Sequence, residues 1–149
     1  MRRIIFILLT LAPFYIVGCS WTVHFYVVND STVPRSLEIQ LSPERDTFLI
    51  FDPRHFAFLP WESDAPDYER IRRIPQGWRE KLTIEIPSHT ALDIGHLNNE
   101  KYDSQQQRFI NGRFFNLLSL KTDQHRITRD TFDQHFHKTD KGMVWIIPR

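Results

Sequence analysis

In several segments of the chain, hydrophobic and polar residues alternate with a period of two. Trp21, Val23, Phe25 and Val27 alternate with Thr22, His24 and Tyr26. A run so rich in β-branched and aromatic residues predicts a strand over 21–28 with one buried face, leaving His24 and Tyr26 outside. Asn29, Asp30, Ser31 and Pro34 are turn residues that break the run. The alternation resumes over 36–41 with Leu37, Ile39 and Leu41 inward, so the two strands predict a hairpin. Thr47 to Phe51 reads as a short apolar strand stopped by Asp52-Pro53, and Phe56 to Leu59 as another. Pro60 to Asp67 reads as a polar loop carrying Trp61, Glu62, Asp64 and Asp67. Tyr68, Ile71 and Ile74 recur every three residues, which suits a short helix ending before Pro75.

The most regular alternation lies in 78–86, with Leu82, Ile84 and Ile86 inward and Lys81, Thr83 and Glu85 outward, ended by Pro87. Thr90 to Ile94 predicts a further short strand, whereas Leu97 to Gln107 lacks an apolar period and reads as a loop or solvated helix. Asn111-Gly112 is a tight-turn signal, and the nearly all-apolar stretch 114–120 after it has the pattern of a central strand. Beyond a turn at Thr122 to Gln124, segment 128–137 fits a short helix with Asp130 as cap, Asp133 in its first turn, and Phe132 and Phe136 on one face. Lys141-Gly142 then introduces a closing strand, Met143 to Ile147. Nothing repeats with a period of about 20–50 residues, which excludes solenoids and propellers. The expected fold is mainly β: an antiparallel sandwich or barrel-like domain with one or two short helices, after an N-terminal signal helix.

The first twenty residues follow a different pattern. Arg2 and Arg3 precede an unbroken apolar run over 4–17, and Gly18-Cys19-Ser20 ends it. A charged start, a short apolar core and a small residue before the cut are the regions of a secretory signal peptide. The run is shorter than the roughly 20 residues a membrane-spanning helix needs. Ile16-Val17-Gly18-Cys19 resembles the lipobox of bacterial lipoproteins. That resemblance implies cleavage by signal peptidase II, a signal peptide over 1–18, one β-rich domain over 19–149, and acyl chains on Cys19. Two or more acyl chains anchor stably where one binds only reversibly. Ser20 stands where the inner-membrane retention signal of enterobacterial lipoproteins has Asp, so the resemblance leans toward the outer membrane. The usual flexible tether after the cysteine is missing, which places the domain close to the bilayer.

Charge and composition narrow the function further. The chain has 149 residues with 19 basic and 18 acidic side chains, so loss of Arg2 and Arg3 leaves 17 against 18. A near-neutral domain gives no electrostatic case for a nucleic-acid partner. No polybasic run suited to anionic headgroups stands out either. Cys19 is the sole cysteine, so with a lipid on it no thiol remains for a disulfide, and the core must hold the fold alone.

Candidate chemistry is sparse. Gly77, Gly95, Gly112 and Gly142 are the only glycines beyond Gly18, and no serine lies in a Gly-x-Ser-x-Gly elbow, so nucleophile elbows and phosphate-cradling loops are excluded. Asp133, His135 and His137 are the best metal candidates, yet either strand or helix geometry brings only two of them together, and a catalytic zinc takes three protein ligands. His24 reads as a lone outward histidine, and His55, His89, His96 and His125 as residues of turns. The carboxylates Glu62, Asp64, Asp67 and Glu69 lack the glycine of a calcium loop and read as a solvated acidic loop. Trp61, Trp78 and Tyr26 are candidates for a binding surface. The expectation is a cell-envelope lipoprotein that acts as a binding or structural module, with no cofactor beyond the lipid on Cys19 and an envelope protein or a glycan as partner. The alternative is a metal-binding protein or metal-dependent hydrolase using His135 and His137.

Overall fold

The computed structural model describes residues 22–43, 49–62, 65–74, 77–98 and 115–148. The signal segment and Cys19, Asp64, the Asn111-Gly112 turn and the stretch 99–107 lie outside them. The fold is mostly β, with two sheets packed as a sandwich and a single α-helical turn among the described residues.

The larger sheet is built on β1 (Thr22–Asn29), which pairs antiparallel with β7 (Thr90–Asn98) and parallel with β11 (Met143–Ile146). Beyond β7 lies β3 (Ala57–Glu62), whose far edge takes β4 (Ala65–Pro66) and β5 (Arg72–Arg73); beyond β11 lies β10 (His137–Lys138). The smaller sheet runs β6 (Lys81–Ile86), β2 (Arg35–Leu41), β8 (Leu117–Lys121) and β9 (Arg126–Thr128), all antiparallel.

The core between the sheets follows the alternation. Phe25, Val27, Leu92 and Ile94 of the larger sheet meet Leu37, Ile39, Leu82, Ile84, Ile86 and Leu120 of the smaller. Burial of each such side chain contributes about 1.5–3 kcal/mol. One end is filled by rings: Phe51 packs edge-on against Phe115 at 5.0 Å, Phe115 against Phe132 at 5.0 Å, and Phe132 stacks on Phe136 at 4.0 Å. Phe132 and Phe136 thus share a face as expected, on α1 (Phe132–His135) and the residue after it. The preceding 3-10 turn, 129–131, is capped by Thr128 with Thr131, not by Asp130. The box closes at Thr128, two residues before 130.

Several expectations are corrected. β1 and β2 do not form a hairpin but lie in different sheets. Alternation says which face of a strand is buried, not which strand lies beside it, and both edges of β1 are already taken. The side chain of Asn29 secures the crossing: its amide donates to the carbonyls of Val33, Ile86 and Pro87 at 2.8–3.0 Å, tying the end of β1 to the end of β6. In the segment expected as a strand over 47–51, residues 49–51 are not in one. Phe51 instead pairs with a side chain: Asn116 Oδ1 accepts from its N–H at 3.0 Å and Asn116 Nδ2 donates to its carbonyl at 2.7 Å. Pro60 to Asp67 is not a loop throughout, because β3 continues to Glu62 and turns back as β4. The helix expected over 68–74 is one 3-10 turn, Tyr68–Arg70, followed by β5, since pairing with the free edge of β3 outweighs a weak three-residue period.

Two glycines allow close backbone approach. A Cβ on Gly95 would lie 2.1 Å from the carbonyl oxygen of Ile50, and one on Gly142 would lie 2.5 Å from that of His24.

The Asn116 bridge is testable. Asn116→Ala leaves the buried N–H and C=O of Phe51 without these partners, at about 1–3 kcal/mol for each group. Urea unfolding should show a loss of about 2–4 kcal/mol, and a variant as stable as the parent would refute this account of the segment.

Candidate functional site: a histidine and tyrosine patch on the larger sheet

The outer face of the larger sheet carries a polar constellation that single positions in the sequence do not reveal. β1 and β7 pair regularly from Thr22↔Asn98 to Phe25↔Gly95, and the register then slips so that Tyr26 faces Asp93. Ile94 is the extra residue, and it packs in the core with Leu92 and Leu97. In an unbroken strand Asp93 and His96, three apart, would point to opposite faces. The bulge turns both outward.

There they meet His24 and Tyr26 of β1, two apart on one face. His24 Nδ1 lies 2.8 Å from Asp93 Oδ2, and its ring stacks on Tyr26 at 5.7 Å and 12°. His96 is the cross-strand partner of His24, with ring centroids 5.7 Å apart. His55 adds a third imidazole, 6.3 Å from His96. It is placed by the 3-10 turn Pro53–His55, which Asp52 caps by accepting from the Arg54 N–H at 3.0 Å. Arg54 also clasps the Asp52 carboxylate through Nε and Nη2, and its guanidinium lies over Trp78 at 5.9 Å. Burial pushes the Asp52 carboxyl up, but the Arg54 hydrogen bonds and charge outweigh it and hold the group below the usual range.

Tyr68, from the 3-10 turn Tyr68–Arg70, closes the patch. Its hydroxyl and that of Tyr26 lie 2.5 Å apart, and its ring is 6.1 Å from His24. Arg70 steadies the turn by holding Asp67 and Glu62, so these two carboxylates are ion-paired. Tyr26 is completely buried and half of Tyr68 is exposed. Burial first, then the Tyr68 hydrogen bond and the Asp93 charge, raise the Tyr26 phenol far above its ordinary value, so it stays protonated. His96 is pushed below the ordinary 6.5, chiefly by burial; Asp93 opposes this, and His24 and His55 add to it.

Several sequence readings of these residues change. Tyr26 and Trp61 are not surface aromatics: they form a second apolar cluster with Val28, Leu59, Ala91 and Val144, and Trp78 is half-buried. His96 lies in β7, not in a turn, and His24 is one of three neighbouring imidazoles rather than a lone one. The available signal was Gly95: a glycine inside a strand pattern marks a bulge. Asp133 and His135 lie on α1 and His137 on β10, and among the described residues no group of three or more His, Cys, Asp and Glu is set to hold a metal ion.

No family model, curated protein or solved structure matches the chain. What the patch can do follows from its own chemistry. It offers imidazoles and the exposed Tyr68 phenol for hydrogen bonding to a polar partner, with the proton on buried Tyr26 fixed.

Two outcomes test this arrangement. Since the folded value of His96 lies below the unfolded one, the unfolded chain takes up the proton first as pH falls. Its contribution is therefore intact above about 6.5 and is lost as pH falls through the folded value. The melting temperature should drop across that window, and less steeply in His96→Gln; parallel profiles would remove His96 from the account. Separately, Tyr68→Phe leaves the buried Tyr26 hydroxyl without its partner and should cost about 1–3 kcal/mol, more than Tyr26→Phe combined with Tyr68→Phe. Urea denaturation of both variants reads the difference, and a double variant weaker than the single one would contradict it.

Proposed function

We propose that the chain is a lipid-anchored protein of the bacterial cell envelope, whose β-sandwich acts as a binding or assembly module rather than as a catalyst. One observation carries the reading: a short apolar run behind two arginines ends at Gly18-Cys19, the sole cysteine, and β1 begins only three residues later at Thr22. A chain step spans at most about 3.6 Å, so Thr22 can lie no farther than about 11 Å from an anchored Cys19. A central strand is thereby tied to the bilayer, without the reach a long tether gives. The outer membrane is the favoured location, on the resemblance at Ser20. An envelope protein or a glycan is the proposed partner, and nucleic acid is not.

This reading is supported also by what the described residues offer for chemistry. The His24, His55 and His96 patch is an array of hydrogen-bonding groups, without three convergent ligands. Hydrogen-bonding groups of this kind suit recognition of a polar partner.

Growth with a fatty-acid analogue tests the anchor. The parent protein should take up label and stay in the membrane fraction, and Cys19→Ala should lose the label and remain uncleaved or become soluble. Label persisting in the variant would overturn the proposal.

A further inference from the structure

The edges of the two sheets are unequal. The described edges of the larger sheet are β4, β5 and β10, of two residues each, and β9 closes one end of the smaller sheet with three. Edges this short give an incoming strand little to pair with. The other end of the smaller sheet is β6, six residues long, with no irregularity in its pairing to β2. One step beyond the Gln40↔Lys81 pair, the Leu41 N–H donates to the Glu80 carbonyl at 2.7 Å. Backbone pairing alternates along an antiparallel strand, so Glu80, Leu82, Ile84 and Ile86 turn their N–H and C=O groups toward β2. Those of Lys81, Thr83 and Glu85 point to the open side, where no strand lies among the described residues.

The order of side chains on this edge is its own complement. Lys81 and Glu85 stand equally far from Thr83, all three exposed, while Leu82 and Ile84 enter the core. A second β6 can be laid antiparallel with the two Thr83 residues opposite each other. Lys81 of each copy then meets Glu85 of the other, and Leu82 meets Ile84. The three residues paired across the edge are the ones whose backbone groups face it. No like charges meet, since the next row holds Gln40 beside Lys81 and Ser36 beside Glu85. Lys81 reaches Glu38 on β2 at 3.0 Å, and pairing places it between two carboxylates. Cross-strand pairs of opposite charge attract, and like charges directly opposite repel. We propose that the free edge of β6 is the contact between two copies of this chain, joining their smaller sheets across a two-fold axis at Thr83. Such a contact is isologous, so each copy contributes the same surface. It does not cover the histidine and tyrosine patch on the larger sheet, and it does not depend on a lipid at Cys19.

A ladder of one strand pair is small against a standard interface, so the dimer is weak and is read at high protein concentration. Full-length protein in detergent micelles, sedimented over rising concentrations, should pass from monomer to dimer. Glu85→Lys sets lysine against lysine at both ends and should weaken the dimer about tenfold; Lys81→Glu does the same with glutamates. Mixed in equal amounts, the two variants should recover the parent's dimer, because each supplies the charge the other lacks. That recovery also shows both to be folded. Thr83→Cys, oxidised under the same conditions, should give a linked dimer, since residues paired there lie about 5.5 Å apart between Cα atoms. Lys121→Cys, on β8 beyond β2, should not, at about 24 Å across the axis. Cys19 is common to both, so a link through it would appear equally. A parent that stays monomeric, a dimer indifferent to the single charge changes, or equal linking at 83 and 121 overturns the proposal. So does linking at 83 to a different protein in place of a second copy.

Discussion

The rest of the structure depends on β1 being hydrogen-bonded along both edges and packed on both faces. Phe25 and Val27 enter the core between the sheets, while Tyr26 and Val28 are equally buried on the other side. β7 and β11 take its two edges. This double demand sends the following strand to the other sheet, and requires Asn29 to bridge the ends of β1 and β6. The Gly142 turn has to slip past the His24 carbonyl for β11 to reach its place. The same strand supplies His24 and Tyr26 to the polar patch, so fold and candidate site share one scaffold.

How much of this was legible in the sequence divides along a physical line. The inward faces of β2 and β6 were readable residue by residue, because period-2 alternation in a half-exposed strand is a direct imprint of burial. The outward face of β1 was not. Tyr26 looks polar enough for solvent, and only the arrival of Tyr68, forty-two positions on, shows that its hydroxyl has a partner. Strand neighbours were also invisible, since long-range pairing leaves no local periodicity, and the supposed hairpin of β1 with β2 failed for that reason. Asn116 standing in for a strand beside Phe51 has no sequence signature at all. The histidine cluster was half legible: Gly95 announces a bulge, but His55 joins through a separate turn whose position only packing decides.

Three buried polar side chains among the described residues serve geometry directly. Asp52 both caps a turn and clasps Arg54, and Asn29 and Asn116 replace missing backbone pairing. Satisfied in this way, such groups cost little and fix a unique arrangement, whereas loss of one partner leaves the other buried and unpaired. The patch on the larger sheet is built on the same rule, with Asp93 holding His24 and the two phenols holding each other.

The parallel pairing of β1 with β11 has a consequence for how the molecule comes into being. Phe25 meets Met143 in that ladder, so the partner of an early strand is made near the far end of the described chain. Contacts so distant in sequence form slowly. Until β11 arrives, β1 presents an open edge and apolar flanks, the kind of surface that recruits unwanted strands. The time during which that edge stays open is set by how long β11 takes to dock.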